Sequence, residues 1–226
     1  MKDRRRAREL AAEFHRKGDP TGWFEALYRE AEEGKSTVPW LDYHPTPPLV
    51  GFWIQHPQRT EGKSALVVGS GFGDDAEQLA AWGFRTTAFD ISETAIRNTR
   101  KRFPGSGVDY HVADLLDPPA QWRGQFDFVL ESHTLQVLPA ALRPQATKNI
   151  AAFLRPGGHL LVIARHREPT DPEGQMPWPL TRAEISAFIG QGLEERLFDI
   201  LPDANEHDVR RFRVLFQMQQ MTGERD

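Results

Sequence analysis

The stretch from Ser64 to Asp75, SALVVGSGFGDD, constrains the fold more than any other part of the sequence. A short apolar run with β-branched residues predicts a buried parallel strand. Three glycines follow it at alternate positions, Gly69, Gly71 and Gly73. Only glycine lets a backbone turn this tightly and lets a ligand approach it this closely. A strand that ends in such a turn, just before a helical pattern, predicts the ligand-binding edge of an open α/β sheet.

Strand and helix patterns alternate from residue 65 onward, which is typical of a parallel sheet with crossover helices. The predicted strands are Ala65–Val68, Arg85–Phe89, Val108–Val112, Phe126–Leu130 and His159–Ala164, then a terminal pair, Leu193–Leu201 and Phe212–Gln219. The predicted helices are Asp74–Trp82, Ser92–Arg102, Ala140–Leu154 and Thr181–Gly190, with a turn at 155–158 before the fifth strand. Ser92 and Thr181 have the hydroxyl groups expected of N-caps. The sequence therefore predicts an α/β fold: a Rossmann-like, doubly wound, mostly parallel seven-stranded sheet with an antiparallel edge strand.

The N-terminal part predicts a helical cover over this sheet. Residues 3–17, 21–33 and 48–56 have helical patterns, and the second carries much aromatic surface on one face, including Trp23 and Tyr28. Between them, the segment Val38–Leu49 contains four prolines, so it cannot be a regular helix or a central strand. This proline-rich segment is either a lid over the site or a linker that covers part of the core. We expect a cover of residues 1–58 and a sheet region of residues 59–226, together one structural domain.

The composition of the chain argues against several classes of binding partner. With 226 residues, a net charge of −4 and no cysteine, the chain suits one domain without disulfides or cysteine ligands. The overall charge argues against nucleic acid as the main partner, and the short basic run at residues 2–8 is either a solvated helix face or a binding patch. No apolar run is long enough to span a bilayer. We therefore expect a cytoplasmic protein, monomer or homodimer, with no nucleic-acid or membrane partner.

In a parallel sheet, ligands lie beyond the carboxyl ends of the strands. The residues at these ends are the glycine turn, Asp90, Asp114 and the stretch from Glu131 to His133. Asp74 stands where a nicotinamide-binding turn has its third glycine, and added negative charge there disfavours a pyrophosphate. Asp90 has the spacing from the glycines at which a carboxylate accepts ribose hydroxyls. Asp114 follows the third strand, where a carboxylate could meet an adenine amino group.

These segments resemble the motifs of class I S-adenosylmethionine-dependent methyltransferases. The resemblance lies in residues 66–80 (LVVGSGFGDDAEQLA), 83–96 (GFRTTAFDISETAI), 126–129 (FDFV) and 154–160 (LRPGGHL), within residues 64–165. It implies S-adenosylmethionine as cofactor, S-adenosylhomocysteine as product and a small-molecule methyl acceptor. The residues that it places at the cofactor are Trp40, Gly69, Ser70, Gly71, Gly73, Asp90, Ile91, Asp114, Leu115 and Glu131.

A narrower resemblance is to the thiopurine S-methyltransferase-like branch, which includes thiol and halide methyltransferases. It rests on Trp23 with Tyr28, on Pro39-Trp40 and Pro48-Leu49, and on Leu135 to Pro139 followed by Arg143. The branch implies that Trp40 and Trp23 close over the methionine end of the cofactor. Glu131-Ser132-His133 departs from the aspartate-led pattern of that branch, so the substrate does not carry over.

We expect in-line methyl transfer to a thiol or another soft nucleophile. Such a reaction depends mainly on placing the nucleophile and excluding water, and few protein groups need to take part in it chemically. His133 is the candidate general base, with a histidine bonded to backbone as the structural alternative. Trp23, His133, Arg143 and Trp178 are the candidate substrate-binding residues, although Arg143 could cap its helix region and Trp178 could anchor its loop.

Other classes remain open on the sequence alone. They are an O- or N-methyltransferase of a small aromatic compound, a nicotinamide-dependent oxidoreductase, and a non-catalytic ligand-binding protein with the same fold. No metal site is expected: the spacing of four histidines does not suggest ligation, namely His111, His159, His166 and His207. His44 and His56 lie among prolines and aromatic residues near the proposed lid.

Overall fold

The computed structural model describes residues 4–204, 206 and 208–220; His207 lies outside these. The helices are α1 (Arg5–Arg16), α2 (Trp23–Glu32), α3 (Pro47–Gln55), α4 (Asp74–Ala81), α5 (Glu93–Arg102), α6 (Arg143–Phe153) and α7 (Arg182–Ser186). The strands are β1 (Ser64–Val68), β2 (Arg85–Asp90), β3 (Asp109–Val112), β4 (Phe126–Ser132), β5 (Leu154–Arg165), β6 (Leu193–Pro202) and β7 (Arg210–Met218). None of the described helices is long and apolar enough to cross a membrane.

The seven strands form one sheet in the order β3-β2-β1-β4-β5-β7-β6. The pairings from β3 to β5 are parallel, whereas β7 is antiparallel to both β5 and β6. This confirms the predicted fold class, with the antiparallel pairing confined to one end of the sheet. The chain order reverses between β1 and β4, and such a switch point opens a crevice beyond the carboxyl ends of the strands.

Alternation along the strands builds a core on each face of the sheet. In β1, Leu66 and Val68 join one apolar cluster with residues of α6 and α7. Ala65 and Val67 join the other, with residues of α3, α4 and α5. Burial on both faces explains the continuous apolar run that the sequence shows at this strand.

The fifth strand is longer than predicted. It begins at Leu154 and includes the stretch 155–158, which the sequence analysis placed in a turn. Phe126 pairs with Leu154, but Phe128 pairs with His159, so the register shifts between these two pairs. Gly157 has a φ of 78°, which accommodates the extra residues as a bulge within the strand.

Two predicted N-caps are confirmed, and two helix ends differ. The Ser92 hydroxyl accepts the Ala95 N–H at 3.0 Å, and Thr181 forms a capping box with Glu184. The predicted helix at 140–154 is a 3₁₀ turn followed by α6, which has a proline in its first turn. The helix after Thr181 ends at Ser186, and a separate 3₁₀ turn follows at residues 189–191.

The cover is fastened to the sheet region through Glu25 of α2. Its Oε2 accepts the Ser92 hydroxyl at 2.6 Å and the Thr94 N–H at 3.1 Å, and its Oε1 accepts the Thr94 hydroxyl at 2.7 Å. The carboxylate thus satisfies donors at the N-terminus of α5, where negative charge is favoured. Burial opposes ionisation of Glu25, but these hydrogen bonds outweigh it and lower the pKa.

Candidate functional site

A cavity of about 630 Å³ lies along the carboxyl ends of the strands. Its walls come from the glycine turn, from the proline-rich segment, from α2, and from the ends of β2, β4, β5 and β7. The cover and the sheet region therefore both build it. This contact along residues 39–48 favours the lid interpretation of the proline-rich segment over a plain linker.

The glycine turn lines the cavity through Gly69, Ser70 and Gly71. All three glycines have positive φ, 62° at Gly69, 53° at Gly71 and 85° at Gly73, a region that L side chains rarely adopt. Gly73 does not line the cavity. A Cβ there would lie 2.5 Å from the Tyr110 hydroxyl, so close packing already requires a glycine, and its predicted contact with a cofactor stays a prediction.

Ser70 carries an unsatisfied polar atom. Its Oγ is buried and has no hydrogen-bond partner among the described residues. A buried hydroxyl without a partner is costly unless a ligand or water satisfies it. Since Ser70 lines the cavity, this oxygen points to a polar ligand group beside the turn.

Asp90 at the end of β2 supports the turn and faces the same cavity. Its Oδ2 accepts the Gly71 N–H at 2.9 Å and its Oδ1 accepts the Ser92 N–H at 2.9 Å. Burial raises the pKa of Asp90, and these N–H groups oppose the shift. Each oxygen keeps a further lone pair, so the carboxylate can still accept ligand hydroxyls.

The residues predicted to flank an adenine, Ile91, Asp114 and Leu115, all line the cavity. Asp114 Oδ1 accepts the Leu116 N–H at 2.8 Å, which fixes the loop after β3. The structure thus brings these three predicted positions to one side of the glycine turn.

Asp74 and Asp75 differ in their partners. Asp74 forms a bidentate ion pair with Arg102, at 2.6 and 2.7 Å, so its charge is largely offset. Asp75 instead accepts the Thr46 N–H at 2.6 Å and the Thr46 hydroxyl at 2.8 Å. Burial raises the pKa of Asp75 and these bonds oppose it. Asp75 therefore ties the proline-rich segment to the start of α4.

Aromatic side chains of the cover close one side of the cavity. Trp40 lines it and donates its Nε1–H to the Tyr28 hydroxyl at 2.8 Å. Burial, and secondarily the charge of Asp90, raise the pKa of Tyr28 well above its ordinary value. Trp23, which was predicted to close over the ligand, is fully buried and does not line the cavity. Phe24 and Tyr28 face it instead, one and five residues further along α2.

Glu131 lies in the core at the end of β4 and is not part of the cavity wall. Its Oε1 accepts the N–H groups of Thr134 and Leu135 at 2.8 and 2.9 Å, while Oε2 has no partner among the described residues. Burial raises the pKa of Glu131 to about 7. In this structure the side chain supports the turn after β4, and its predicted contact with a cofactor stays a prediction.

His133 lines the cavity with both ring nitrogens engaged. Nε2 contacts an Arg211 N–H, and Nδ1 lies 2.9 Å from the Ser132 hydroxyl. Since a guanidinium only donates, Nε2 accepts, and the neutral imidazole carries its proton on Nδ1. Neither nitrogen is then free to accept a proton, so this geometry does not favour His133 as a general base.

Arg143 and Trp178 lie outside the cavity wall. Arg143 forms an ion pair with Glu184 and donates to the Leu138 carbonyl at 3.1 Å. The Trp178 N–H donates to the Gln136 carbonyl at 2.7 Å, and its ring stacks on His15. Both arrangements favour the structural alternatives, a helix-region cap and a loop anchor.

Four arginines in the cavity wall were not predicted from the sequence: Arg4, Arg165, Arg211 and Arg213. Arg165 is the last residue of β5, so the rule that ligands meet strand ends would have found it. Arg211 and Arg213 stand at alternate positions in an apolar strand, which places both on one face. Among the described residues, no cluster of three or more histidine or acidic side chains could hold a metal ion.

Comparison with known proteins gives a family and relatives. A family model described as a methyltransferase domain matches residues 65–158. A ubiquinone biosynthesis O-methyltransferase of Aromatoleum aromaticum is 35% identical over 126 residues, covering 55% of this chain and 53% of that protein. One of Thiobacillus denitrificans is 30% identical over 183 residues, covering 80% of this chain and 71% of that protein. The matches thus span between about half and seven-tenths of these relatives' own length.

Solved structures share the fold. The 1,6-didemethyltoxoflavin-N1-methyltransferase of Burkholderia thailandensis has a TM-score of 0.70 at 16% identity, covering 94% of this chain and 91% of that one. The N-methyltransferase NodS of Bradyrhizobium japonicum has a TM-score of 0.66 at 20% identity, covering 86% of this chain and 98% of that one. The sequence relatives are named O-methyltransferases, so they do not support the predicted thiopurine S-methyltransferase-like branch.

Proposed function

Because the chain belongs to the S-adenosylmethionine-dependent methyltransferases, we propose that it transfers a methyl group from this cofactor to an oxygen of a small molecule. The choice of oxygen over sulfur rests on the relatives named O-methyltransferases. The thiol acceptor and the non-catalytic ligand-binding protein remain the competing hypotheses.

The residues of the cavity fit this cofactor. The unsatisfied Ser70 Oγ and the backbone of Gly69 and Gly71 offer a polar, closely approachable wall to its methionine end. Asp90 would accept the ribose hydroxyls, and Leu115 would flank the adenine. The observation that carries the proposal is that the glycine turn, Asp90 and the unpartnered Ser70 hydroxyl all line one cavity.

The cofactor supplies a methyl group activated by a positively charged sulfur, and the chain supplies placement. Trp40, Tyr28 and the proline-rich segment line the cavity, where with a ligand bound they would exclude water and so strengthen electrostatic interactions. Positioning the acceptor in line with the methyl group would account for much of the rate. His133 holds Ser132 through Nδ1 at 2.9 Å, so we assign it a positioning role in the acceptor end of the cavity.

The test is to measure S-adenosylhomocysteine binding by calorimetry and methyl transfer to matched phenol, thiol and amine acceptors. We expect tight binding of the product and preferred transfer to oxygen. Asp90→Ala should weaken product binding at least roughly tenfold, because it removes hydrogen bonds to a charged group. Asp109→Ala, at an exposed position of β3, is the matched control.

Each other result has a meaning. Absence of product binding would overturn the proposal. Binding without transfer to any acceptor would favour the non-catalytic alternative, and transfer to sulfur alone would return the acceptor to the thiol class.

A further inference from the structure

The cavity is electrically polarised along the sheet. On the side of β3, β2 and β1 its walls carry Asp74, Asp75, Asp90 and Asp114. Among the described residues, only Asp74 of these four has an arginine partner. On the side of β5 and β7 the walls carry four arginines and two carboxylates: Arg4, Arg165, Arg211, Arg213, Asp203 and Glu206. A cationic ligand is favoured at the first end and an anionic one at the second.

Two of these arginines oppose each other directly. Arg165 on β5 and Arg211 on β7 are register partners in the antiparallel pair, so their side chains project from the same face at neighbouring positions. Like charges directly opposite one another destabilise a sheet. The side chains are only 13% and 16% exposed, so water screens this repulsion less than on an open surface.

The neighbouring carboxylates offset the repulsion only in part. Glu206 pairs with both Arg4 and Arg165, at 2.6 and 2.7 Å. Asp203 pairs with Arg211, and Asp199 pairs with Arg213 at 2.6 Å. Among the described residues, four guanidinium groups thus share three carboxylates, which leaves one positive charge in surplus.

The opposed pair also has unused donors. Arg165 donates to Glu206 through Nη2, and neither its Nε nor its Nη1 has a hydrogen-bond partner among the described residues. Arg211 donates to Asp203 through Nε and contacts His133 through Nη1. Its Nη2 has no hydrogen-bond partner within the described residues. Planar N–H groups of this kind match the geometry of a carboxylate.

We infer that the methyl acceptor carries a carboxylate, and that Arg165 and Arg211 bind it at the end of the cavity away from the glycine turn. This rests on the proposed function, since it names the class of that reaction's acceptor. A single surplus charge in a cavity of about 630 Å³ suits a small monoanion better than a polyanion. His133, which contacts Arg211, lies between this pair and the cofactor side.

The test compares matched acceptors that differ only in charge. Protocatechuate, salicylate, caffeate and thioglycolate are each paired with their neutral amide, and binding to the protein loaded with S-adenosylhomocysteine is measured by calorimetry. At least one carboxylate should bind roughly tenfold or more tightly than its amide, as expected for hydrogen bonds to a charged group. Arg165→Met should abolish that preference, because it should weaken binding of the carboxylate more than binding of the amide.

Arg165→Met is suited to this purpose because Glu206 keeps Arg4 as its partner, so no carboxylate is left unpaired. Arg97→Met, at an exposed ion pair of α5 with Glu32, is the matched control and should keep the preference. Arg165→Lys should retain part of it, because a point charge remains without the planar fork.

The outcomes separate the two proposals. If S-adenosylhomocysteine fails to bind, the proposed function itself is overturned. If it binds and no carboxylate is preferred over its amide, only the present inference is overturned. The wild-type comparison needs no variant, so it decides the question even where Arg165→Met does not fold.

Discussion

Glu131 shows what a single buried carboxyl does to the stability of this protein. Its pKa is raised to about 7 from about 4.5, because burial disfavours the charged form. Between these two values the folded protein keeps the proton and the unfolded chain does not. The contribution of Glu131 to stability therefore falls as the pH rises from about 4.5 to about 7, and it levels off above that range.

We predict that Glu131→Gln removes this loss. The amide oxygen can still accept the Thr134 and Leu135 N–H groups, but it does not ionise. Relative to the wild type, the variant should gain on the order of 2–3 kcal/mol between about pH 4 and pH 8. Urea denaturation of the ligand-free protein at the two pH values measures the gain.

The control is Glu61→Gln, at an exposed position in the loop before β1, which should show no such dependence on pH. A difference between Glu131→Gln and the wild type that stays constant across this range would show that the carboxyl titrates normally in the folded protein.

At the scale of elements, the most buried polar contact between α2 and α5 is made by Glu25. Glu25 accepts three hydrogen bonds from Ser92 and Thr94 at the start of α5, so it caps a helix that is distant in sequence. We predict that Glu25→Gln destabilises the protein by about 1–2 kcal/mol, because a charged acceptor at a helix N-terminus is replaced by a neutral one. Chemical denaturation at neutral pH gives the value.

The pH dependence of this effect has a definite sign. The folded pKa of Glu25 is lowered, so its stabilisation is present above the unfolded pKa of about 4.5 and is lost as the pH falls through the folded value. Glu32→Gln is the matched control in the same helix, since Glu32 forms only exposed ion pairs with Arg97 and Lys101. It should change stability by less than about 0.5 kcal/mol. Equal effects of the two substitutions would contradict the capping role.

At the scale of the whole molecule, the sheet was predictable because its signals are local. The apolar run of β1, the glycines after it and the hydroxyl caps each act within a few residues. Asp90 and Asp114 could be placed because carboxyl ends of parallel strands share one edge. These local features were enough to predict the proposed cofactor side of the cavity.

The proposed acceptor side was predictable only at Arg165, since the rest of it depends on how distant segments meet. The pairing of Arg165 with Arg211 is set by the register of β5 and β7, which no local pattern reveals. Trp23 was placed in the site by the resemblance to the thiopurine S-methyltransferase-like branch. The rotation of α2 instead buries Trp23 and turns Phe24 and Tyr28 to the cavity. His133 was predicted to be a general base, but an Arg211 N–H occupies its Nε2, a contact that the sequence does not reveal.

The closure of the cavity involves the whole chain, because Thr46 of the cover and Asp75 of the sheet region meet at its rim. The Thr46 hydroxyl donates to Asp75 at 2.8 Å and lies 3.4 Å from the Ser132 hydroxyl. We predict that Thr46→Val weakens S-adenosylhomocysteine binding roughly tenfold, because it removes a hydrogen bond to a carboxylate in the closed arrangement. Calorimetry measures the affinity.

Hydrogen exchange shows whether closure is the cause. In the wild type, S-adenosylhomocysteine should slow amide exchange in the proline-rich segment as well as in the glycine turn, because both line the cavity. In Thr46→Val the protection should persist at the turn and diminish in the proline-rich segment. Thr37→Val, at an exposed position just before that segment, should behave as the wild type. Protection confined to the glycine turn in the wild type, together with unchanged affinity in Thr46→Val, would mean that the segment is only a linker.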